Sequence, residues 1–531
     1  MRNVSSSGLR SIAAAAVALA AFAAPSAQRR PVVATADGPV RGVLSDGIDR
    51  YLGIPYAAAP VGDLRWLPPQ PHGRWTGVRD ATRFGSHCAQ VASPFGLASA
   101  SEDCLFLNVF TPARNRDRDG DGDGEDEEER LPVMVWIHGG ALLLGESDDY
   151  DPIRLVEQGV VVVTLNYRLG VLGFLAHPAL SAESPDHASG NYGLMDQQAA
   201  LRWVQRNIAH FGGDPQRVTI FGESAGGLSV HSHLASPLSA GLFHRAIVQS
   251  GAYSLSQPSL ALAEAQGRAV AGLAGCSDQT ASCLRAAPVA TLLGAFHTAS
   301  VVPDVDGKVL TQAIGAAFTS GQFNRVPVIE GSNHDEWRLF VSLNIDLVTG
   351  PLAPAQYPGA ISATLGVNAA TAAFLAALYP LGGFPSADLA LSALGTDAIF
   401  ACNSRKVVRL LSQHVPTHAY EFNDENAPQL FLPPVSFPYG SAHASEIQYL
   451  FNLRATVPAP ALAPGQERLS AAMVAYWTNF ARMGDPNWFG TPFWPAYDRA
   501  ADQMQSLAPP SPFVESGFAA DHKCAFWAPT P

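Results

Sequence analysis

From Pro132 onward, short unbroken apolar runs alternate with longer stretches in which apolar residues return every three or four positions. Val133-Met134-Val135-Trp136-Ile137 and Val160 to Leu165 are runs of the first kind, and Arg217-Val218-Thr219-Ile220-Phe221 reads as a third strand. Continuous β-branched runs of this length suit strands buried on both faces of a parallel sheet. Between the second and third, Gly193 to Phe211 has helical spacing, with Leu194, Ala199, Leu201, Val204 and Ile208 able to share one face. Strands alternating with helices predict an α/β fold built on a large, mostly parallel central sheet. Val326 to Ile329 and His418 to Phe422 read as further strands. Ala353 to Ala401 reads as helical, and Leu469 to Ala481 as an amphipathic helix. No internal repeat appears, and no linker is long enough to divide the chain. Residues 28–531 are therefore expected to form one domain with helical excursions.

Composition narrows the class. Of 531 residues, 47% are hydrophobic and 15% charged, enough for a sizeable core. A net charge of −13 argues against nucleic acid as a partner, because phosphate neutralisation needs clustered Lys and Arg. Much of that charge sits in one insert, 115–130, where nine acidic residues against three arginines leave −6. Asp117, Asp119, Asp121, Gly122 and Glu128 in it match the spacing of a calcium loop. A repeated Asp-Gly run produces that spacing by chance, and Gly124 stands where an apolar residue is needed. A solvated surface loop is the preferred reading, and no metal is expected.

The N-terminus reads as a signal peptide over residues 1–27: Arg2 and Arg10 precede an apolar run from Ile12 to Ala24, followed by small residues. A plain N-terminal anchor is the alternative, but the run is short for a bilayer span. Export to a secreted or periplasmic location, without a transmembrane anchor, is expected. Six cysteines, at 88, 104, 276, 283, 402 and 524, fit that compartment as disulfides, and six allow 15 pairings.

The third strand runs into Gly222-Glu223-Ser224-Ala225-Gly226, and Ala225 to Leu234 continues as a helix. A strand–turn–helix of this form holds a serine in a strained conformation with its hydroxyl above the sheet. The helix N-terminus favours developing negative charge there. An incidental serine in a Gly-rich turn is the bland alternative. Against it stands His138-Gly139-Gly140-Ala141 after the first strand, a turn able to aim backbone N–H groups at a tetrahedral oxyanion, together with that of Ala225. Serine also needs a base, and the base an acid to fix its tautomer. Both should follow Ser224 in the chain, but periodicity does not choose among the histidines.

Several widely spaced segments do. SEDCLFLNV from Ser101, PVMVWIHGG, NYRLGVLGFL from Asn166, GNYGLMDQQAALRWVQRNIAHFGGDP from Gly190, FGESAGG and LFHRAIVQSG from Leu242 resemble the type-B carboxylesterase family, which includes cholinesterases and some lipases. The resemblance extends from near Val32 to Phe526 and implies an α/β-hydrolase fold with helical insertions around an active-site gorge. It implies a serine carboxylic-ester hydrolase with Ser224 as nucleophile and no cofactor. Gly331-Ser332-Asn333-His334-Asp335-Glu336 matches the family's acid motif, giving Glu336, with Asp335 as fallback. Gly440-Ser441-Ala442-His443-Ala444-Ser445-Glu446 matches its base motif, giving His443. His138, His231, His233 and His334 lie near motifs without fitting that role.

The resemblance further implies oxyanion donors at Gly140, Ala141 and Ala225, and disulfides Cys88–Cys104, Cys276–Cys283 and Cys402–Cys524. Two departures stand out: Ala141 replaces the third glycine of the oxyanion turn, and Trp337 follows the acid where the family often has glycine. Residues 89–103 contain no tryptophan, and quaternary ammonium needs such an aromatic face, which argues against cholinesterase activity. A lipase and a hydrolase of polyester or xenobiotic esters remain alternatives within this chemistry. A non-catalytic adhesion protein of the same fold is the rival from another class, disfavoured by the complete set of Ser224, Glu336 and His443. The natural substrate, beyond a small-molecule or polymeric ester, and the oligomeric state stay open.

Overall fold

The computed structural model describes residues 30–113, 129–295 and 302–528. The signal-peptide segment and the calcium-like spacing of the acidic insert lie outside them; of that insert only Glu129 and Arg130 are described.

Eleven strands form one sheet. In chain order they are β1 (Val43–Ser45), β2 (Ile48–Pro55), β3 (Phe106–Pro112), β4 (Leu131–Ile137), β5 (Val161–Leu165), β6 (Gly213–Glu223), β7 (Arg245–Gln249), β8 (Val328–Asn333), β9 (Thr417–Phe422), β10 (Met504–Leu507) and β11 (Phe513–Glu515). Their spatial order is β1-β2-β3-β5-β4-β6-β7-β8-β9-β10-β11. From β5 to β10 every neighbouring pair is parallel, and antiparallel strands close both ends. This is the α/β-hydrolase architecture that the resemblance implied.

The unbroken apolar runs divide between two cores because successive side chains leave a strand on opposite faces. Val133, Val135, Ile137, Val163 and Ile220 join one core, under helices α1 (Tyr192–Asn207) and α2 (Ala225–Ala235). Met134, Trp136, Val162 and Phe221 join the other, under Met473, Trp477 and Phe480 of α3 (Pro464–Met483). A fully buried Val or Phe contributes about 1.5–3 kcal/mol, so both faces anchor the central strands. Trp136 sets the second core, with ring centroids 4.9 Å from Phe221 and 4.8 Å from Phe451.

The Ala- and Leu-rich region forms three helices, Tyr357–Leu365, Ala369–Leu378 and Ala387–Gly395. Asn368 and Ser386 cap the second and third, accepting from Thr371 N and Leu389 N. A π-helical turn, Thr396–Ala401, then leads into Cys402–Leu411. The helix read as Gly193 to Phe211 ends earlier, at Asn207, and finishes in a 3₁₀ turn over Ile208–Phe211. Disulfides join Cys88 to Cys104, Cys276 to Cys283 and Cys402 to Cys524. Among the described residues, no single helix is long and apolar enough to cross a membrane.

Candidate active site

β6 delivers Ser224 to the C-terminal edge of the sheet, and α2 begins at the next residue. Ser224 has φ 55° and ψ −119°, far from the backbone wells that side chains prefer, and its N–H donates to Gln249 O at 2.9 Å. The turn is possible because its glycines press main chain on main chain. A Cβ on Gly226 would lie 1.9 Å from Ile137 O, and one on Gly222 would lie 2.6 Å from Gly226 C.

The turn after β4 approaches the same point. Gly140, Ala141 and Leu142 all have positive φ, at 98°, 57° and 60°. Gly140 O accepts from Leu143 N and Leu144 N, which curls the turn. The N–H groups of Gly140 and Ala141 donate to no group among the described residues. The N–H of Ala225 belongs to the first turn of α2, where intrahelical acceptors are lacking. Ala141 thus holds a left-handed backbone that a third glycine would adopt without strain.

Glu336 follows β8 and is fully buried, with Oε1 accepting from Asn333 N at 2.8 Å and Oε2 2.5 Å from His443 Nδ1. Asp335 is occupied elsewhere. Its Oδ2 accepts from Ser441 N at 3.0 Å, and its Oδ1 pairs with Arg338 at 2.8 Å. It clamps the loop that carries His443 and does not orient the ring. Trp337 stacks on Phe340 with centroids 4.4 Å apart, and Phe340 and Phe400 flank the His443 ring at 5.2 and 4.9 Å. The side chain that replaces the family's usual glycine therefore backs an aromatic cradle for the imidazole. Phe400 reaches it from the π-helical turn.

Carboxylates crowd this imidazole. Nε2 of His443 faces Glu223 Oε1 at 3.2 Å and makes no hydrogen bond among the described residues. Burial opposes the charged ring, yet Glu223, Glu336 and Glu446 outweigh it and lift His443 to about 9. Burial lifts Glu223 to about 8 against the pull of His443. Glu446, also raised by burial, accepts from Asn333 Nδ2 at 2.7 Å and Gln249 Nε2 at 3.0 Å. Sequence reasoning assigned no role to Glu223 or Glu446, although both stand inside the motifs it used. Adjacency to Ser224 and the final position of the base motif were the available signals.

Ser224, His443, Gly140 and Ala141 line one cavity of about 230 Å³. The rest of its wall is mainly apolar, including Leu144, Leu339, Phe340, Leu343 and Phe431. His138 does not reach this cavity: it is buried, stacks on Tyr167 at 4.5 Å, and burial lowers it to about 4. His231 and His233 are fully buried under the sheet, paired with Glu330 at 2.8 Å and Gln197 at 2.8 Å. His334 pairs with Asp335 at 3.1 Å.

Comparison with known proteins gives a consistent picture. The profile of the Carboxylesterase family matches residues 29–527. A pyrethroid hydrolase of Rattus norvegicus is 35% identical over 505 residues, covering 90% of this chain and 86% of that protein. An acylcarnitine hydrolase of Mus musculus is 36% identical over 512 residues, covering 90% and 88%. A fumonisin B1 esterase of Sphingopyxis macrogoltabida is 35% identical over 496 residues, covering 88% and 85%.

Proposed function

The chain belongs to the carboxylesterase family, and on that footing we propose that it is a secreted carboxylic-ester hydrolase working through Ser224, His443 and Glu336. Ester hydrolysis is the family's chemistry; the residue roles and the export are our reading. His443 Nε2 takes the Ser224 proton as Oγ attacks the ester carbonyl carbon. The carbonyl oxygen becomes an oxyanion held by the N–H groups of Gly140, Ala141 and Ala225. The imidazolium then gives that proton to the departing alkoxide, leaving an acyl-enzyme. Water, deprotonated by His443, attacks the acyl carbon, and the proton returns to Ser224 as the acid leaves.

The observation that carries this reading is the 2.5 Å contact of His443 Nδ1 with Glu336 Oε2, behind a cavity that both His443 and Ser224 line. That contact fixes the tautomer with Nδ1 protonated and Nε2 free to act as base. Two expectations from sequence support export: the basic, then apolar N-terminus, and cysteines suited to an oxidising compartment. The relatives are named for a pyrethroid, an acylcarnitine and fumonisin B1, so family membership alone does not select one substrate.

Ser224→Ala tests the mechanism. Hydrolysis of p-nitrophenyl butyrate should fall by on the order of 10⁴-fold or more, with the circular dichroism spectrum unchanged. Retained turnover in a folded variant would exclude Ser224 as nucleophile.

A further inference from the structure

One cavity residue has no part in the proposed hydrolysis. Asp149 lines the same apolar cavity as Ser224 and His443, at the end of the 3₁₀ turn Ser147–Asp149. Two more carboxylates adjoin it in sequence. Glu146 is fully buried, and its Oε1 accepts no hydrogen bond. Asp148 is partly buried.

Two cations face these three acids. His87 is committed to the other two, with Nδ1 3.0 Å from Glu146 Oε2 and Nε2 3.0 Å from Asp148 Oδ1. Arg454 lies 3.4 Å from Asp149 Oδ1 and 3.7 Å from Glu146 Oε1, but its side chain is 58% exposed. Its charge is therefore screened by water and weakly held. Among the described residues Asp149 is left with its only direct countercharge on the solvent side and an apolar cavity on the other. Burial, followed by the fields of Glu146 and Asp148, lifts its carboxyl to about 7, as expected for a carboxylate short of positive partners. A cation inside the cavity would meet it where attraction is least screened.

We propose that Asp149 forms a cation-binding subsite that selects esters carrying a protonated amine. An ammonium N–H donates to the carboxylate in a charge-assisted hydrogen bond, which a quaternary ammonium cannot make. The proposal rests on the ester-hydrolase reading and adds a substrate class to it.

The test uses two matched pairs that exchange an ammonium for a methyl group. On the acyl side, p-nitrophenyl 6-aminohexanoate is compared with p-nitrophenyl heptanoate. On the alcohol side, 6-aminohexyl butyrate is compared with heptyl butyrate. The readout is the ratio of kcat/KM, ammonium ester over neutral ester, for the parent protein, Asp149→Asn and Arg454→Gln. In at least one pair Asp149→Asn should lower the ratio about tenfold, and Arg454→Gln should raise it. A ratio that stays within about twofold in both pairs for Asp149→Asn overturns the proposal. If Asp149→Asn does not fold, Arg454→Gln decides, and an unmoved ratio there overturns it. Parent protein that hydrolyses none of the four esters would instead overturn the ester-hydrolase reading, and this proposal with it.

Discussion

Glu223 Oε1 stands 3.2 Å from His443 Nε2, the nitrogen that takes the serine proton in the proposed mechanism. The residue before Ser224 is thus an electrostatic neighbour of the proposed base. Its carboxylate stabilises the imidazolium, which helps once the proton has moved, and it also keeps the resting ring protonated to higher pH.

A pH profile follows from that contact. In its proposed role as base His443 must be deprotonated, and it is raised to about 9, so kcat/KM should climb with pH on the alkaline side of neutrality. Glu223→Gln removes one of the carboxylates responsible. Its acid limb should move to lower pH by about one pH unit or more, with a reduced plateau. Initial rates on p-nitrophenyl butyrate from pH 5 to 10 measure this. A limb that stays put or moves to higher pH contradicts the assignment of Glu223.

The turn after β4 bears on stability. Ala141 sits at φ 57°, where a side chain costs roughly 1–2 kcal/mol. Ala141→Gly relieves that strain but loosens the unfolded chain by about 0.4–1 kcal/mol, so a gain of up to about 1 kcal/mol is expected. Ala141→Val puts a branched Cβ in the same conformation and should cost about 1–3 kcal/mol. Urea unfolding ranks the three proteins, and a Val variant at least as stable as the Gly variant would contradict the strained geometry.

A second histidine ties stability to pH. His522 is buried between Asp397, 2.7 Å from Nδ1, and Glu421, 2.6 Å from Nε2. Burial opposes its charge, but these carboxylates prevail and raise it to about 10 from an ordinary 6.5. A raised folded value means that the stabilisation is complete below about pH 6.5 and is lost as pH rises toward 10. His522→Gln should be about 3–5 kcal/mol less stable than the parent at pH 6, with the difference shrinking by pH 9. A difference that is constant or grows with pH refutes the charged pairing.

What could be read from the sequence followed how locally each feature is encoded. The strands at Val133–Ile137 and Val160–Leu165 were legible because burial on both faces leaves them almost wholly apolar, with Thr164 the one polar residue. The flanking strands Ile48–Pro55 and Met504–Leu507 carry Asp49, Arg50, Gln505 and Ser506, and did not stand out. Ser224 announced itself through the strand, turn and helix around it. Glu336 and His443 are 107 positions apart and came from family resemblance, since no periodicity links residues at that distance. The bond between Gln249 and Glu446 spans 197 positions and had no sequence signal at all. Asp149 belongs to none of the sequence motifs, and only the folded cavity wall distinguishes it.

The glycine contacts beneath Ser224 bear on how this protein can be altered. Residues 222 and 226 leave no room for a β-carbon, so any non-glycine codon there moves the main chain that carries Ser224. Randomised libraries that include them spend their diversity on inactive clones. Variation placed at Leu339, Leu343 and Phe431 changes the cavity wall while the turn stays intact. New substrate preferences should therefore be sought in the side chains facing the turn, with the turn itself held constant.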